Sequence, residues 1–209
     1  MIDGYNVNSD GIIYQEHIFN KQKVYDIDYI DVRYNSYGEL GNFMSYLRLG
    51  YLIKTIGHIP RTLLDVGYGN GDFLKLSTAA GITCFGSDIS GYPVSSNVTE
   101  VTDIYKNEYE VVCFFDVLEH FNNIHDISEL QTEYIYISVP ECHNVSDEWF
   151  KEWKHRRPDE HLWHFNKSSL ESFMGKIGYT LVAYTNVEDI IRKPEAELTN
   201  ILTGVFKTA

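Results

Sequence analysis

The chain has 209 residues, 44% of them hydrophobic, which suits one domain with a single sizeable core and a small appended piece and leaves two full domains cramped. Its formal charge of −13 at pH 7 repels phosphate backbones and anionic membrane surfaces, so nucleic acid and membranes are disfavoured as partners. Cys84, Cys113 and Cys142 stand far apart with no Cys-x-x-Cys pair, which excludes a disulfide scaffold or a thiolate zinc site and suits a reducing cytoplasm.

The opening Met1-Ile2-Asp3-Gly4 carries an acid and no apolar core, unlike a secretion signal, and no apolar run reaches the ~18 to 20 residues of a spanning helix. Residues 1–57 read as a tyrosine-rich arm and a helix packed on the core, ahead of a main domain over 58–209. From Glu39 to Ile56, Leu40, Phe43, Met44, Leu47, Tyr51 and Ile53 recur mostly at three- and four-residue steps, predicting a helix that buries this face and ends at Gly57. Short apolar runs then alternate with helical patterns, the form of successive βα units and a mainly parallel sheet. Strands are expected at 62–66, 82–87, 98–102, 110–115, 134–139 and 179–184, with helices at 73–80 and 168–177, the second capped by Ser168. Val117 to Phe121 reads as the opening of a further helix, and 200–208 as a seventh strand, antiparallel at the edge. The expected fold is thus α/β, a Rossmann-like three-layer α/β/α sandwich on a seven-stranded, mostly parallel sheet with an antiparallel last strand.

Where the strand 62–66 hands over to a helix, Gly67, Gly69 and Gly71 stand at alternate positions. Glycine permits a tight turn and close approach of a ligand to the backbone, and the free amides of the helix start face the same point. Asp88, at the tip of the next strand, follows Gly67 by 21 residues, near the ~20-residue offset at which an acid accepts hydrogen bonds from ribose hydroxyls. A dinucleotide fingerprint would need glycine where this chain has Asp72, an acid that would repel a pyrophosphate.

These residues resemble the S-adenosylmethionine (SAM)-dependent methyltransferases, whose Asp-x-Gly-x-Gly-x-Gly loop is met by Asp65, Gly67, Gly69 and Gly71. The resemblance implies that this loop, with Tyr68, holds the methionine portion of SAM, that Asp88 holds the ribose, and that Ile89 and Asp103 meet the adenine. It implies further that Phe115 lines the same pocket. Tyr34 and Tyr37 either close over the methionine end or simply pack.

The segment Asp116-Val117-Leu118-Glu119-His120 continues strand 110–115. On a helix, positions i, i+3 and i+4 would set Asp116, Glu119 and His120 on one face at the carboxyl edge of the sheet. Three roles stay open: bracing the helix, general-base chemistry by His120, or a divalent metal held by Asp116, Glu119 and His120. The segment looks like the Val-Leu-Glu-His signature of the ubiquinone-biosynthesis-type O-methyltransferases. Those enzymes use a Glu-x-x-Glu-His metal site, and Asp116 replaces its first Glu.

Between the fifth strand and the last large helix, residues 141–166 carry Trp149, Trp153 and Trp163 with four histidines, suiting a lid over a small organic acceptor. Within it, 158–165 resembles the family's Asp-x-His-x-x-x-Phe stretch, making His161 the second candidate histidine as base, metal ligand or lid pin. The basic run Lys154, His155, Arg156, Arg157 reads as a solvated loop face or a substrate patch. The expected activity is SAM-dependent methyl transfer to a small-molecule hydroxyl. The alternatives are an inert module of the same fold that binds a nucleoside or a protein, and an aminopropyl transferase.

Overall fold

The computed structural model of the chain describes residues 2–18, 20, 24–35, 38–194 and 197–209. In chain order its elements are β1 (Tyr5–Val7), β2 (Ile13–Gln15), α1 (Ile27–Asn35), α2 (Glu39–Ile56), β3 (Thr62–Val66), α3 (Asp72–Ala79), β4 (Thr83–Ser87) and β5 (Thr99–Glu100). There follow β6 (Glu108–Phe115), β7 (Gln131–Pro140), α4 (Asp147–Glu152), β8 (Trp163–His164), α5 (Lys167–Lys176), β9 (Tyr179–Thr185) and β10 (Ile201–Thr208). Single 3-10 segments lie at Leu118–His120, Ile124–Glu129 and Val187–Ile190.

Seven strands form one sheet in the order β5-β4-β3-β6-β7-β10-β9. Neighbours are parallel from β5 to β7, and β10 runs antiparallel to both β7 and β9. Alternation of side chains along each strand gives the sheet two apolar faces. Leu63, Val111, Cys113 and Tyr136 pack under α2 and α3 through Leu49, Leu52, Phe73 and Leu74. Leu64, Val112, Phe114 and Ile135 pack on the other side against Leu170, Phe173 and Met174 of α5 and Ile124 and Ile127 of a 3-10 segment. The result is the three-layer sandwich that the alternating patterns predict.

Four local expectations are corrected. The last strand is not at the edge. β10 is buried from Ile201 to Phe206, as a strand with neighbours on both sides must be, whereas β9 after buried Tyr179 alternates exposed and half-buried positions and forms the edge. The helix α5 starts one residue earlier and is capped by Asn166, whose side chain accepts from the Ser169 amide; Ser168 does not cap it. Helix α2 has the predicted ends, with Gly57 in the left-handed region at φ 85°, but it buries Met44, Ser45, Leu49 and Leu52 while Leu40 and Phe43 stay about half exposed (48% and 57%). Apolar residues surround this helix on most sides, so spacing alone does not choose the face that the sheet covers. Finally, Val117 to Phe121 is no α-helix. Asp116 takes φ 57°, turning the chain sharply off β6 into one 3-10 turn.

The arm begins with an element the patterns did not signal. β1 and β2 form a hairpin whose second strand pairs with β8, making a separate three-stranded sheet. Residues 2–15 therefore rest on the 141–166 insert, and Tyr5, Ile13, Cys142 and Phe150 form a small core there. The three cysteines are free and buried. Among the described residues no helix is long and apolar enough to cross a membrane.

Candidate active site

Chain order reverses between β3 and β6, which sit side by side while β4 and β5 extend one way and β7 the other. In open parallel sheets this switch leaves a crevice beyond the carboxyl ends of the strands. Here the crevice is a cavity of about 670 Å³. Its wall includes Asp65, Gly67, Tyr68 and Gly69 after β3, Asp88 and Ile89 after β4, Asp103, and Phe115, Asp116, Glu119 and His120 after β6, with His161 from the insert. Of the sequence-predicted site residues, Gly71 supports this wall as the left-handed cap of α3 (φ 76°), and Tyr37 lies outside the described residues.

The glycine turn is built for close approach. Gly67 (φ 74°) and Gly69 (φ 59°) hold left-handed conformations that side chains rarely adopt, and a Cβ there would strike Val117 or the Tyr34 ring. Asp88 braces the turn, its carboxylate accepting from the Gly69 amide (2.8 Å) and the Ser90 amide (2.7 Å). Tyr68 is buried and donates its hydroxyl to the Tyr92 carbonyl (2.6 Å). Ile89 is 84% exposed at the rim. Beneath the turn, Asp65 is buried, and its Oδ1 has no hydrogen-bond partner. Burial pushes its carboxyl up to about 8, with the Asp88 charge adding to the effect and Arg48 opposing it.

After β6, Glu119 is 1% exposed and both its carboxylate oxygens lack partners, as does Nδ1 of buried His161. Burial, reinforced by the Asp116 charge, holds the Glu119 carboxyl well above the usual range. His120 Nδ1 lies 2.7 Å from the Glu160 carbonyl. A carbonyl only accepts, so Nδ1 carries the proton and Nε2 keeps the basic lone pair. The rings of His120 and His161 meet edge to face at 4.6 Å. Burial lowers both imidazoles, but the Glu160 carbonyl supports the cationic form of His120, while the charge of His120 depresses His161 further. Ligand atoms of Glu119, His120 and His161 all lie within 4.8 Å of one another.

Asp116 does not join them. With no α-helix, the three-residue spacing does not bring it onto the face of Glu119. Its carboxylate instead accepts from Arg192 Nη1 (2.7 and 2.9 Å), with Arg48 at 4.0 Å. Burial alone would raise its carboxyl, but these two guanidiniums override that and hold it low. Arg48 and Arg192 converge in turn on Glu188, which is fully buried and also accepts from Ser138. Arg48 also lies 4.1 Å over the Phe115 ring. None of Arg48, Glu188 and Arg192 was singled out from the sequence, because their partners lie up to 140 residues away. The basic run divides: His155 is buried and bonded to Asn200 (2.8 Å), Arg157 pairs with Glu160, and both line the cavity. His164 is buried among Tyr5, Phe150 and Trp153, away from the cavity wall.

A sheet of this order, with a glycine turn leaving its central strand and an acid at the tip of the next, defines the Rossmann-like class of SAM-dependent methyltransferases. A family described as "Methyltransferase domain" matches residues 40–184, and the chain belongs to that family. A search of curated proteins gives no match. Among solved structures, magnesium protoporphyrin IX methyltransferase from Synechocystis PCC 6803 with bound SAH superposes with a TM-score of 0.58 at 15% identity, covering 91% of each chain. The 1,6-didemethyltoxoflavin-N1-methyltransferase of Burkholderia thailandensis gives 0.59 at 13% identity, covering 98% of this chain and 99% of that one. The plantazolicin methyltransferase BpumL gives 0.60 at 16%, covering 88% and 92%. Likeness at these identities speaks for the fold.

Proposed function

We propose that the protein transfers the methyl group of SAM to a hydroxyl oxygen of a small-molecule acceptor. The observation that carries the acceptor type is the trio Glu119, His120 and His161, whose ligand atoms lie within 4.8 Å of one another in one cavity with the glycine turn, with both Glu119 oxygens and His161 Nδ1 unpartnered. SAM fits the cofactor end. The partnerless oxygen of buried Asp65 suits the α-ammonium, and the second lone pairs of the Asp88 oxygens suit ribose hydroxyls. The open rim at Ile89 and Asp103 suits adenine.

In this reading His120 is the base. Its Nε2 takes the hydroxyl proton as the acceptor oxygen attacks the sulfonium methyl in line; the carbon–sulfur bond breaks, and neutral S-adenosylhomocysteine and a protonated imidazole remain. The methyl is already activated by the sulfonium, so most of the rate comes from alignment in the cavity. His161, depressed by burial and by the charge of His120, is assigned the part of orienting the acceptor or holding an ion.

One buried carboxylate without hydrogen bonds beside two neutral imidazoles is also a donor set that fits a divalent cation, with Glu119, His120 and His161 as its ligands and Asp116 excluded. Such an ion would lower the pKa of a bound hydroxyl. The test is calorimetric titration with SAM, then incubation with hydroxyl-bearing acceptors and chromatographic detection of S-adenosylhomocysteine, with and without chelator. Absence of SAM binding sinks the whole reading; transfer to nitrogen acceptors alone sinks the hydroxyl assignment.

A further inference from the structure

We propose that the N-terminal hairpin is a positioning element of the active site, acting through a reciprocal pair between Gln15 and Asp159 that sets the turn carrying both histidine supports. This rests on the roles given above to His120 and His161. Neither Gln15 nor Asp159 lines the cavity, so any effect on chemistry passes through other residues.

Gln15 closes β2 and is buried (8% exposed). Its side-chain amide donates to Asp159 Oδ1 (2.6 Å), and its side-chain carbonyl accepts from the Asp159 backbone amide (2.8 Å). Asn20 donates to the other Asp159 oxygen (2.7 Å). Asp159 itself adopts φ 65°, a left-handed conformation uncommon for a residue with a side chain, and these bonds hold it there from three directions. The backbone continues the clamp. The Gln15 amide donates to the Leu162 carbonyl (2.9 Å), and the Leu162 amide donates to the Glu119 carbonyl (2.7 Å).

The turn fixed in this way delivers two things to the cavity. Its Glu160 carbonyl meets His120 Nδ1 and selects the tautomer that leaves Nε2 basic. Its next residue is His161, whose amide closes the turn on the Arg157 carbonyl (2.9 Å). Gln15 thus governs which nitrogen of a histidine carries the proton, across 105 residues of sequence. A side chain serving only to glue the hairpin down would have no effect on that tautomer.

The decisive measurement is long-range proton–nitrogen NMR of the His120 and His161 rings in full-length, nitrogen-labelled protein, with SAM affinity measured alongside by calorimetry. In wild type His120 is expected as the Nδ1–H form. In Gln15→Leu, which keeps the bulk and removes both side-chain bonds to Asp159 along with those to the His17 carbonyl and the Tyr5 hydroxyl, that form should fall at least about two-fold in population, with SAM affinity within about two-fold of wild type, since the glycine turn belongs to other elements. Asn20→Ala, which frees only one Asp159 oxygen, should shift the population in the same direction by less, and it decides the matter if Gln15→Leu does not fold. Unchanged His120 tautomers in a folded variant with intact SAM binding overturn the proposal. Failure of wild type to bind SAM is a different result, and it overturns the methyltransferase reading instead.

Discussion

Glu119 is positioned to make the free protein less stable than a variant with an apolar side chain in its place. Its carboxylate is 1% exposed and neither oxygen has a hydrogen-bond partner; a buried polar group left unsatisfied costs about 1–3 kcal/mol. Glu119→Leu, similar in size and apolar, should therefore stabilise the chain by about that amount, a rise of about 2–12 °C in melting temperature at ~2–4 °C per kcal/mol for a domain of this size. The gain depends on pH in a definite sense. Burial, with the Asp116 charge, raises the Glu119 carboxyl in the folded state above its ordinary value of 4.5. Below that ordinary value folded and unfolded chains are both protonated. As pH rises past it the unfolded chain ionises first, so wild type loses stability until the folded carboxyl also titrates. Glu119→Leu should outlast wild type by more at about pH 8 than at about pH 5. Thermal melts in chelator at both pH values read this directly. Adding Mn²⁺ or Zn²⁺ should then raise wild type, by about 2.7 kcal/mol at a hundredfold excess over Kd, leave the variant where it was, and so close most or all of the gap between them. A variant that melts below wild type in chelator, or one that responds to the ion as wild type does, refutes the reasoning.

Asp65 gives a second test. Its carboxyl, pushed up to about 8 chiefly by burial, is mostly protonated in the free protein at neutral pH, and an arriving ammonium favours the ionised form. SAM binding near pH 7 should release a proton, visible as heats that vary with the ionisation enthalpy of the buffer. Asp65→Asn should abolish the release and weaken SAM about 10- to 100-fold, the equivalent of a charged hydrogen bond of about 1.5–3 kcal/mol; an unaltered release would assign the proton elsewhere. Glu188→Ala leaves Arg48 and Arg192 buried without their shared acceptor, which should cost about 3–5 kcal/mol in urea titrations. Burial would raise the Glu188 carboxyl, but Arg48 lowers it below its ordinary value, so its contribution is present above that value and lost as pH falls through the folded one. A loss under ~1 kcal/mol would mean that water reaches the guanidiniums.

Much of this molecule is written within short windows of sequence. The bounds of α2 and β3 follow from Gly57, Pro60 and Gly67, and the glycine turn on the cavity wall is legible in Asp65, Gly67, Gly69 and Asp88, because left-handed turns and close backbone approach demand glycine at particular positions. Glu119, His120 and His161 were also visible as residue types, although the helix that was to align the first two is absent. Their grouping comes instead from the left-handed turn at Asp116 and the bond from the Leu162 amide to the Glu119 carbonyl. The diversion of Asp116 to Arg192, the face that α2 buries, the interior place of β10 and the clamp between Gln15 and Asp159 left no local trace. Sequence by itself determined the glycine-set turns and the chemistry at hand, since these depend on a residue and its near neighbours. Only the tertiary structure decided which charges pair and which imidazole nitrogen stays basic, since both depend on surfaces that meet across 40 to 144 residues of chain and on how much water their meeting expels.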